Sequence, residues 1–222
     1  MCVVDAAARE AALARFLHEH PGAGAAGSGH PALPGCADAA WPAAPEGPSG
    51  IPALLPCLLD EATGPEALLL LGNVLLDGAF RMSAAMPTAV PFLLRLAADP
   101  GIATAVRSGL VDLLVVAACL SEAVDADDER SVLLLGPDDD HPERERCRAA
   151  FRAHAPVLTG LLDDETLPEG LLGADDRESL RRAGDLRRDA VPRSAPSSAP
   201  ARQNPAAAGT RRGRQASRAL ST

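Results

Sequence analysis

The sequence contains no lysine, because all 21 of its basic residues are arginine. Lysine holds the phosphates in P-loop proteins, pairs with the phosphates of ATP in protein kinases, and forms the Schiff base with pyridoxal phosphate. The absence of lysine therefore excludes these three classes of protein.

The sequence also lacks an apolar run of the roughly 18 residues that a membrane span needs. Arg107 and Asp112 interrupt the best candidate segment. Charged residues near the N-terminus (Asp5, Arg9 and Glu10) are not typical of a secretory signal peptide. We therefore expect no contact with a membrane.

Closely spaced cysteine pairs are missing as well. The five cysteines are scattered along the chain: Cys2, Cys36, Cys57, Cys119 and Cys147. An odd number without a close pair does not indicate a disulfide framework, so a reduced, cytoplasmic location is expected. Cys57 and Cys119 lie among apolar helix positions, which predicts that both are buried.

A ten-residue phrase occurs three times in the chain. Its copies are Ile51-Pro-Ala-Leu-Leu-Pro-Cys-Leu-Leu-Asp60, Val90-Pro-Phe-Leu-Leu-Arg-Leu-Ala-Ala-Asp99 and Ala155-Pro-Val-Leu-Thr-Gly-Leu-Leu-Asp-Asp164. Each copy has a proline, which suits the first turn of a helix, then leucines at helical spacing, then an acid. Repetition near forty residues is typical of stacked helix pairs.

The first two copies are each followed by a second apolar segment, over residues 66–76 and 103–120. Each unit is therefore predicted to be a short helix, a turn and a longer helix. We expect an all-α protein whose repeat domain, residues 51–176, is a short α-solenoid of about three antiparallel helix pairs. An amphipathic N-terminal helix is expected within residues 1–20.

The segment from Val90 to Pro100, followed by Val106-Arg107, resembles a HEAT-like repeat. The run from Leu71 to Gly78, together with Ala89-Val-Pro-Phe-Leu93, resembles a group of uncharacterised HEAT-like proteins from GC-rich bacteria; the likeness covers about residues 50–172. The resemblance implies stacked helix pairs that bind protein partners. It also implies pairing between a turn aspartate and an arginine, which only Asp99 and Arg107 supply.

The interval between the second and third copies is longer than the first by 26 residues, the length of Ser121–Arg146. This stretch, here called the acidic insertion, contains ten acids and is predicted to be a solvated loop. Its small apolar island, residues 132–135, is either a docking turn or without a role. Six acids are predicted to form a partner-binding surface: Asp127, Asp128, Glu129, Asp138, Asp139 and Asp140.

Charge divides the chain unevenly. Residues 1–176 have ten arginines and 27 acids, whereas residues 177–222 have eleven arginines and three acids. The basic C-terminal part is rich in proline, alanine and serine, which predicts a largely disordered tail. It is a solvated tail, an unselected end, or a contact for nucleic acid or an acidic partner through Arg211, Arg212 and Arg214. A disordered linker rich in proline and glycine is expected over residues 21–50, with Trp41 attaching it to the repeats.

Patterns that suggest cofactor or catalytic chemistry lack their structural context. The run Gly22-Ala-Gly-Ala-Ala-Gly27 matches the dinucleotide-binding spacing, but His20-Pro21 precedes it where a strand is required. The nearby histidines and Cys36 do not have the spacing of a closed zinc site. Cys147 and His154, a conceivable nucleophile and base, stand two helical turns apart rather than one. We therefore expect no catalytic residue, cofactor or metal.

These observations favour a non-catalytic protein-binding scaffold, with an inhibitor or adaptor for a basic partner protein as one form of it. A strongly acidic repeat domain would attract a cationic partner. The alternative is a nucleic-acid-associated protein that acts through the arginines of the tail. The tail has no aromatic residues on which bases could stack, which disfavours this alternative.

Overall fold

The computed structural model of the protein describes residues 6–25, 27, 29–42 and 50–186. These residues form α-helices and turns, with no strand among them, so the all-α prediction is confirmed for this part of the chain. The helices are α1 Ala6–Glu19, α2 Ile51–Cys57, α3 Gly64–Leu75, α4 Met86–Ala97, α5 Thr104–Leu120, α6 Glu129–Leu135, α7 Pro142–Ala153, α8 Ala155–Leu162 and α9 Ala174–Ala183.

The repeated phrase forms α2, the second half of α4, and α8. The apolar residues that define it are all buried: Leu54, Leu55, Leu58, Leu93, Leu94, Ala97, Leu158 and Leu162. Pro52 and Pro156 lie in the first turns of their helices, as predicted. Pro91 does not, because α4 begins earlier, at Met86, and Pro91 stands inside the helix.

The acid at the end of each phrase organises the turn that follows. Asp60 accepts hydrogen bonds from the backbone N–H groups of Ala62 and Thr63, at 3.0 and 2.9 Å. Asp99 accepts one from Gly101 N at 2.8 Å. Asp164 accepts one from Thr166 N, also at 2.8 Å. Asparagine and aspartate favour such turns because their short side chains bond the backbone two residues on.

Arg107 on α5 is 3% exposed and joins the second helix pair to the third phrase. Its Nε donates to Ala97 O at 3.0 Å, and its Nη2 donates to Asp164 Oδ2 at 2.6 Å. The expected partner was Asp99, whose carboxylate instead lies 3.3 Å from His30 Nε2. The arginine therefore pairs with the turn acid of the next copy of the phrase, not with that of its own.

The helices share one hydrophobic core. α2 packs against α3 and α4 packs against α5, so the first two predicted pairs form. α3 also contacts α5, and α5 contacts α9, while α4 contacts α7 and α8. α4 and α5 therefore lie at the centre of the described fold, with the remaining helices packed around them.

Residues 29–42 are not the disordered linker that their composition predicted. Ala32, Leu33 and Cys36 are buried, and Trp41 stacks on Phe92 of α4 at 5.8 Å between ring centroids. Successive turns, closed by bonds such as Leu33 N to His30 O, order this stretch without any helical periodicity. The expected attachment by Trp41 is confirmed, whereas residues 43–49 lie outside the described residues.

Two further predictions, the burial of Cys119 and the domain boundary after residue 176, are wrong. Cys119 is exposed, because it follows Asp112 and Val116 along the outward face of α5. The boundary expected between residues 176 and 177 falls inside α9, whose Leu180 and Ala183 are buried. The folded region thus extends at least to the end of α9, since this helix packs on α5.

Candidate partner-binding surface

The acidic insertion connects α5 to α7 and is only partly a loop. It contains α6 and a single 3₁₀ turn over Asp138–Asp140, and its last five residues are the start of α7. None of the residues of α6 or of the 3₁₀ turn is buried. Apolar contact is therefore limited to partly buried residues such as Leu135, and polar contacts are needed to hold this element in place.

Arg144 on α7 is one of two side chains that fix the insertion. It is 3% exposed, and its guanidinium donates to three acceptors. Nη1 donates to Gly136 O and to Asp138 Oδ1, both at 3.1 Å, and Nη2 donates to Leu135 O. Because Leu135 O and Gly136 O belong to the end of α6, Arg144 binds that end directly to α7.

Arg148, one turn further along α7, holds the first residue of the insertion. Its Nη1 donates to Ser121 O, where α5 ends, and its Nη2 donates to Asp138 Oδ2 at 3.2 Å. Arg148 thus fastens the beginning of the insertion, and both arginines fasten its segment 135–138, to one face of α7. We call these two residues the arginine clamp.

Asp138 is the common acceptor of the arginine clamp. Partial burial would raise the pKa of its carboxyl group, but the hydrogen bonds from Arg144, Val124 N and Arg148 outweigh this and hold the pKa below its usual value. Asp138 was expected to face a partner. Its carboxylate is instead occupied by two guanidinium groups of its own chain, so we remove it from the predicted surface.

Asp128 also has a local role, as the N-cap of α6. Its carboxylate accepts hydrogen bonds from Ser131 Oγ at 2.6 Å and from the N–H groups of Arg130 and Ser131. These bonds lower the pKa of the Asp128 carboxyl group, and the bonds from Ser131 contribute most to this. Aspartate is favoured at this position because the first N–H groups of a helix have no partner within it. Asp128 therefore serves to start α6.

The other four predicted acids remain available. Asp127, Glu129, Asp139 and Asp140 are exposed, and their carboxylates form no ion pair within the described part of the chain. Asp127 and Glu129 lie at the start of α6, and Asp139 and Asp140 lie in the 3₁₀ turn after it. We call these four residues the acidic rim.

Sequence reasoning missed one feature of the insertion, although the apolar island pointed to it. Residues 132–135 form most of α6, and Leu135 packs against the core. Leu133 and Leu134 face outward, with exposed fractions of 85% and 49%. The exposed part of the insertion therefore consists of two leucines on α6, with two acids of the acidic rim at each end of this helix.

Two cavities lie away from α6 in the described structure. One of about 280 Å³ lies beside Arg148 and Arg182, with Glu122 at its edge, and Glu122 pairs with Arg182 at 2.5 Å. The other, of about 610 Å³, is a more open cleft next to Asp163, Asp164 and Glu165. Neither combines a nucleophile with a histidine base.

The residues considered for metal or nucleophile chemistry have separate neighbours. His20 Nε2 lies 3.7 Å from Glu66 Oε2, and Cys36 Sγ donates to Pro52 O. Across the described ranges, no three histidine, cysteine, aspartate or glutamate side chains gather as metal ligands would. Burial raises the pKa of the Cys147 thiol to about 12, so its thiolate is scarce near neutral pH.

Arg211, Arg212 and Arg214, the candidate nucleic-acid contacts of the tail, lie outside the described residues. Their role stays a prediction. Among the helices that the structure describes, none has both the length and the apolar character needed to cross a membrane.

Comparison with known proteins assigns neither a family nor a function to this chain. A scan against protein-family models finds no matching family, and searches of the curated proteins and of the solved structures find no match to this chain. The likeness to HEAT-like repeats therefore rests on the sequence segments that suggested it.

Proposed function

We propose that this protein is a non-catalytic helical-repeat scaffold that binds a basic partner protein through the acidic insertion. The observation that carries the proposal is the unequal use of the six predicted acids. Asp128 and Asp138 bond groups of the chain itself, whereas the four acids of the acidic rim have no cationic partner in the described structure. Unpaired like charges on a fixed element favour a cationic ligand.

The packing of the helices supports the scaffold part of the proposal. α3, α5 and α9 contact one another in turn, and α4 contacts α7 and α8. Successive contacts between equivalent helices are what a short solenoid requires. In this reading α7 and α8 together take the place of one helix of the third pair, and α9 takes the place of the other.

A cytoplasmic location is part of the proposal. The four described cysteines, Cys36, Cys57, Cys119 and Cys147, are all unpaired. Free thiols persist in the reducing cytosol, where disulfides are rare. An inhibitor or adaptor acting on a cationic protein is the form of activity that fits such a surface.

The test compares two variants of the full chain that have the same net charge. In the first, the acidic rim is neutralised by Asp127→Asn, Glu129→Gln, Asp139→Asn and Asp140→Asn. In the control, four exposed acids elsewhere are neutralised by Glu61→Gln, Asp163→Asn, Glu165→Gln and Glu169→Gln. Binding of a fluorescent oligo-arginine peptide is followed by anisotropy at low and at physiological salt.

We expect the rim variant to bind the peptide at least about tenfold more weakly, and the control to bind nearly as the parent does. The salt dependence should also fall only in the rim variant, because fewer fixed charges are then engaged. Equal weakening in both variants would mean that total charge alone attracts the peptide. That result, or a loss confined to the control, would overturn the proposal.

A further inference from the structure

The exposed leucines of α6 belong to an element that is held in place by polar contacts. A helix of seven residues is too short to be stable alone in water. Asp128 caps its start, and Arg144 binds the carbonyl groups at its end. The chain therefore fixes a short helix whose two leucines point to solvent, although the core lies on its other side at Leu135.

This pair differs from the other exposed apolar side chains of the described structure. Leu69, Phe80 and Val116 are each exposed singly, on α3, in the loop after α3, and on α5. Single exposed apolar residues are ordinary at protein surfaces. Leu133 and Leu134 are adjacent in the chain and share one helix, so two apolar side chains reach solvent from the same short element.

The charges around these leucines restrict what can cover them. The acidic rim stands at both ends of α6, which is about 10 Å long. A phosphate backbone or an anionic membrane would be repelled by the rim. A second copy of the chain that used this same face would bring two acidic rims together, which is also unfavourable.

We infer that the ligand of this surface is a cationic amphipathic helix of a partner protein, which packs its apolar side chains on Leu133 and Leu134 and places lysine or arginine over the acidic rim. An amphipathic helix carries its apolar residues three and four positions apart, so it presents an apolar stripe with flanking basic residues. This inference rests on the proposed function and adds the apolar half of the recognition.

The experiment uses two peptides and the full chain. One peptide is a short model helix of leucine and lysine, with all leucines on one face. The other is oligo-arginine, which carries charge but no apolar side chain. The test variant is Leu133→Gln with Leu134→Gln, since glutamine retains good helix propensity. The matched control is Leu69→Gln with Phe80→Gln, two residues with exposed fractions of 67% and 51%.

We expect the α6 variant to lose about tenfold or more in affinity for the leucine–lysine helix, because two apolar contacts are removed. Its affinity for oligo-arginine should stay unchanged, and the control variant should bind both peptides as the parent does. An equal loss for both peptides would show that the leucines only support the insertion, and this would overturn the inference.

The inference and the proposed function fail in different ways. If the α6 variant binds both peptides as the parent does, while the rim variant loses both, the inference is overturned and the proposed function stands. If the rim variant binds oligo-arginine no more weakly than its charge-matched control, the proposed function itself is overturned.

Discussion

The central helix pair, α4 and α5, and the acidic insertion are held by different forces. α4 buries eight residues: Met86, Ala89, Val90, Phe92, Leu93, Leu94, Leu96 and Ala97. α6 buries none and is fixed by hydrogen bonds from the arginine clamp. The comparison shows that buried apolar residues concentrate in the central pair, whereas the exposed leucines and the acidic rim lie on an element held by polar contacts, with α7 as the connection between them.

The largest expected effect is in the central pair. Leu94→Ala removes a side chain that is fully buried in α4, and should lower the free energy of unfolding by about 3 kcal/mol. Urea denaturation followed by circular dichroism measures this loss. Leu69→Ala, at a position that is 67% exposed, is the control and should change the midpoint little. Similar losses in the two variants would contradict the assignment of the core.

A smaller and more local effect is expected in the arginine clamp. Arg144→Met keeps an apolar stem but removes the guanidinium that bonds Leu135 O and Gly136 O, and leaves Asp138 with Arg148 as its one arginine partner in the described structure, at a cost of about 2 kcal/mol. Amide hydrogen exchange should then become faster over residues 124–141 and stay slow in α4 and α5. Arg130→Met, at an exposed position on α6, is the control.

The same experiment tests whether the central pair and the insertion unfold independently. If α4 and α5 lost protection together with the insertion, both regions would unfold as one unit, and their separation would be wrong.

Gly136 provides a third test, because it ends α6 with a φ of 73°. An added Cβ would lie 2.7 Å from His141 Nε2. Gly136→Ala should therefore cost about 1–2 kcal/mol, from backbone strain and from this clash. Gly170→Ala is matched in φ, at 79°, but its Cβ would meet no atom within 4 Å. It should cost only the strain, and equal losses would argue against the close approach of His141.

The smallest effect is expected from protonation of Asp138. Its folded-state pKa lies below the unfolded value of about 3.9, so its stabilising contribution is complete above that pH and is lost as the pH falls through the folded-state pKa. Amide exchange over residues 124–141 should show this loosening in acid. Asp138→Asn should be less protected than the parent near neutral pH, and the difference should shrink in acid.

Asp139→Asn is the control for this titration, since Asp139 is exposed and pairs with no described arginine. A pH response that persisted unchanged in Asp138→Asn would assign the loosening to another group.

The helices with repeated leucines could be predicted from the sequence because helical spacing and turn hydrogen bonds involve residues that are close together in the chain. A stripe at helical spacing must be buried whichever neighbour covers it, and the eight stripe residues of the three phrases are buried. The turn acids were likewise predictable as stop signals, because their hydrogen bonds reach only two or three residues along the chain.

The arginine clamp could not be predicted in the same way. Arg144 and Asp138 are six residues apart across a turn, and Arg148 reaches Ser121 over 27 residues. Only the path of the chain brings these groups together. Composition alone did not distinguish the six acids predicted to form the surface, although two of them bond their own chain. Arg107 and Asp164 illustrate the same limit, at a separation of 57 residues.

The arginine clamp also makes the insertion suitable for protein engineering. Its contacts are made by α7 to Ser121 at one end and to residues 135–138 at the other, so the stretch from 122 to 134 can be exchanged while both attachment points are kept. Alternative segments of similar length, each ending in the Gly136 turn and Asp138, can then be displayed as a library on one unchanged helical framework.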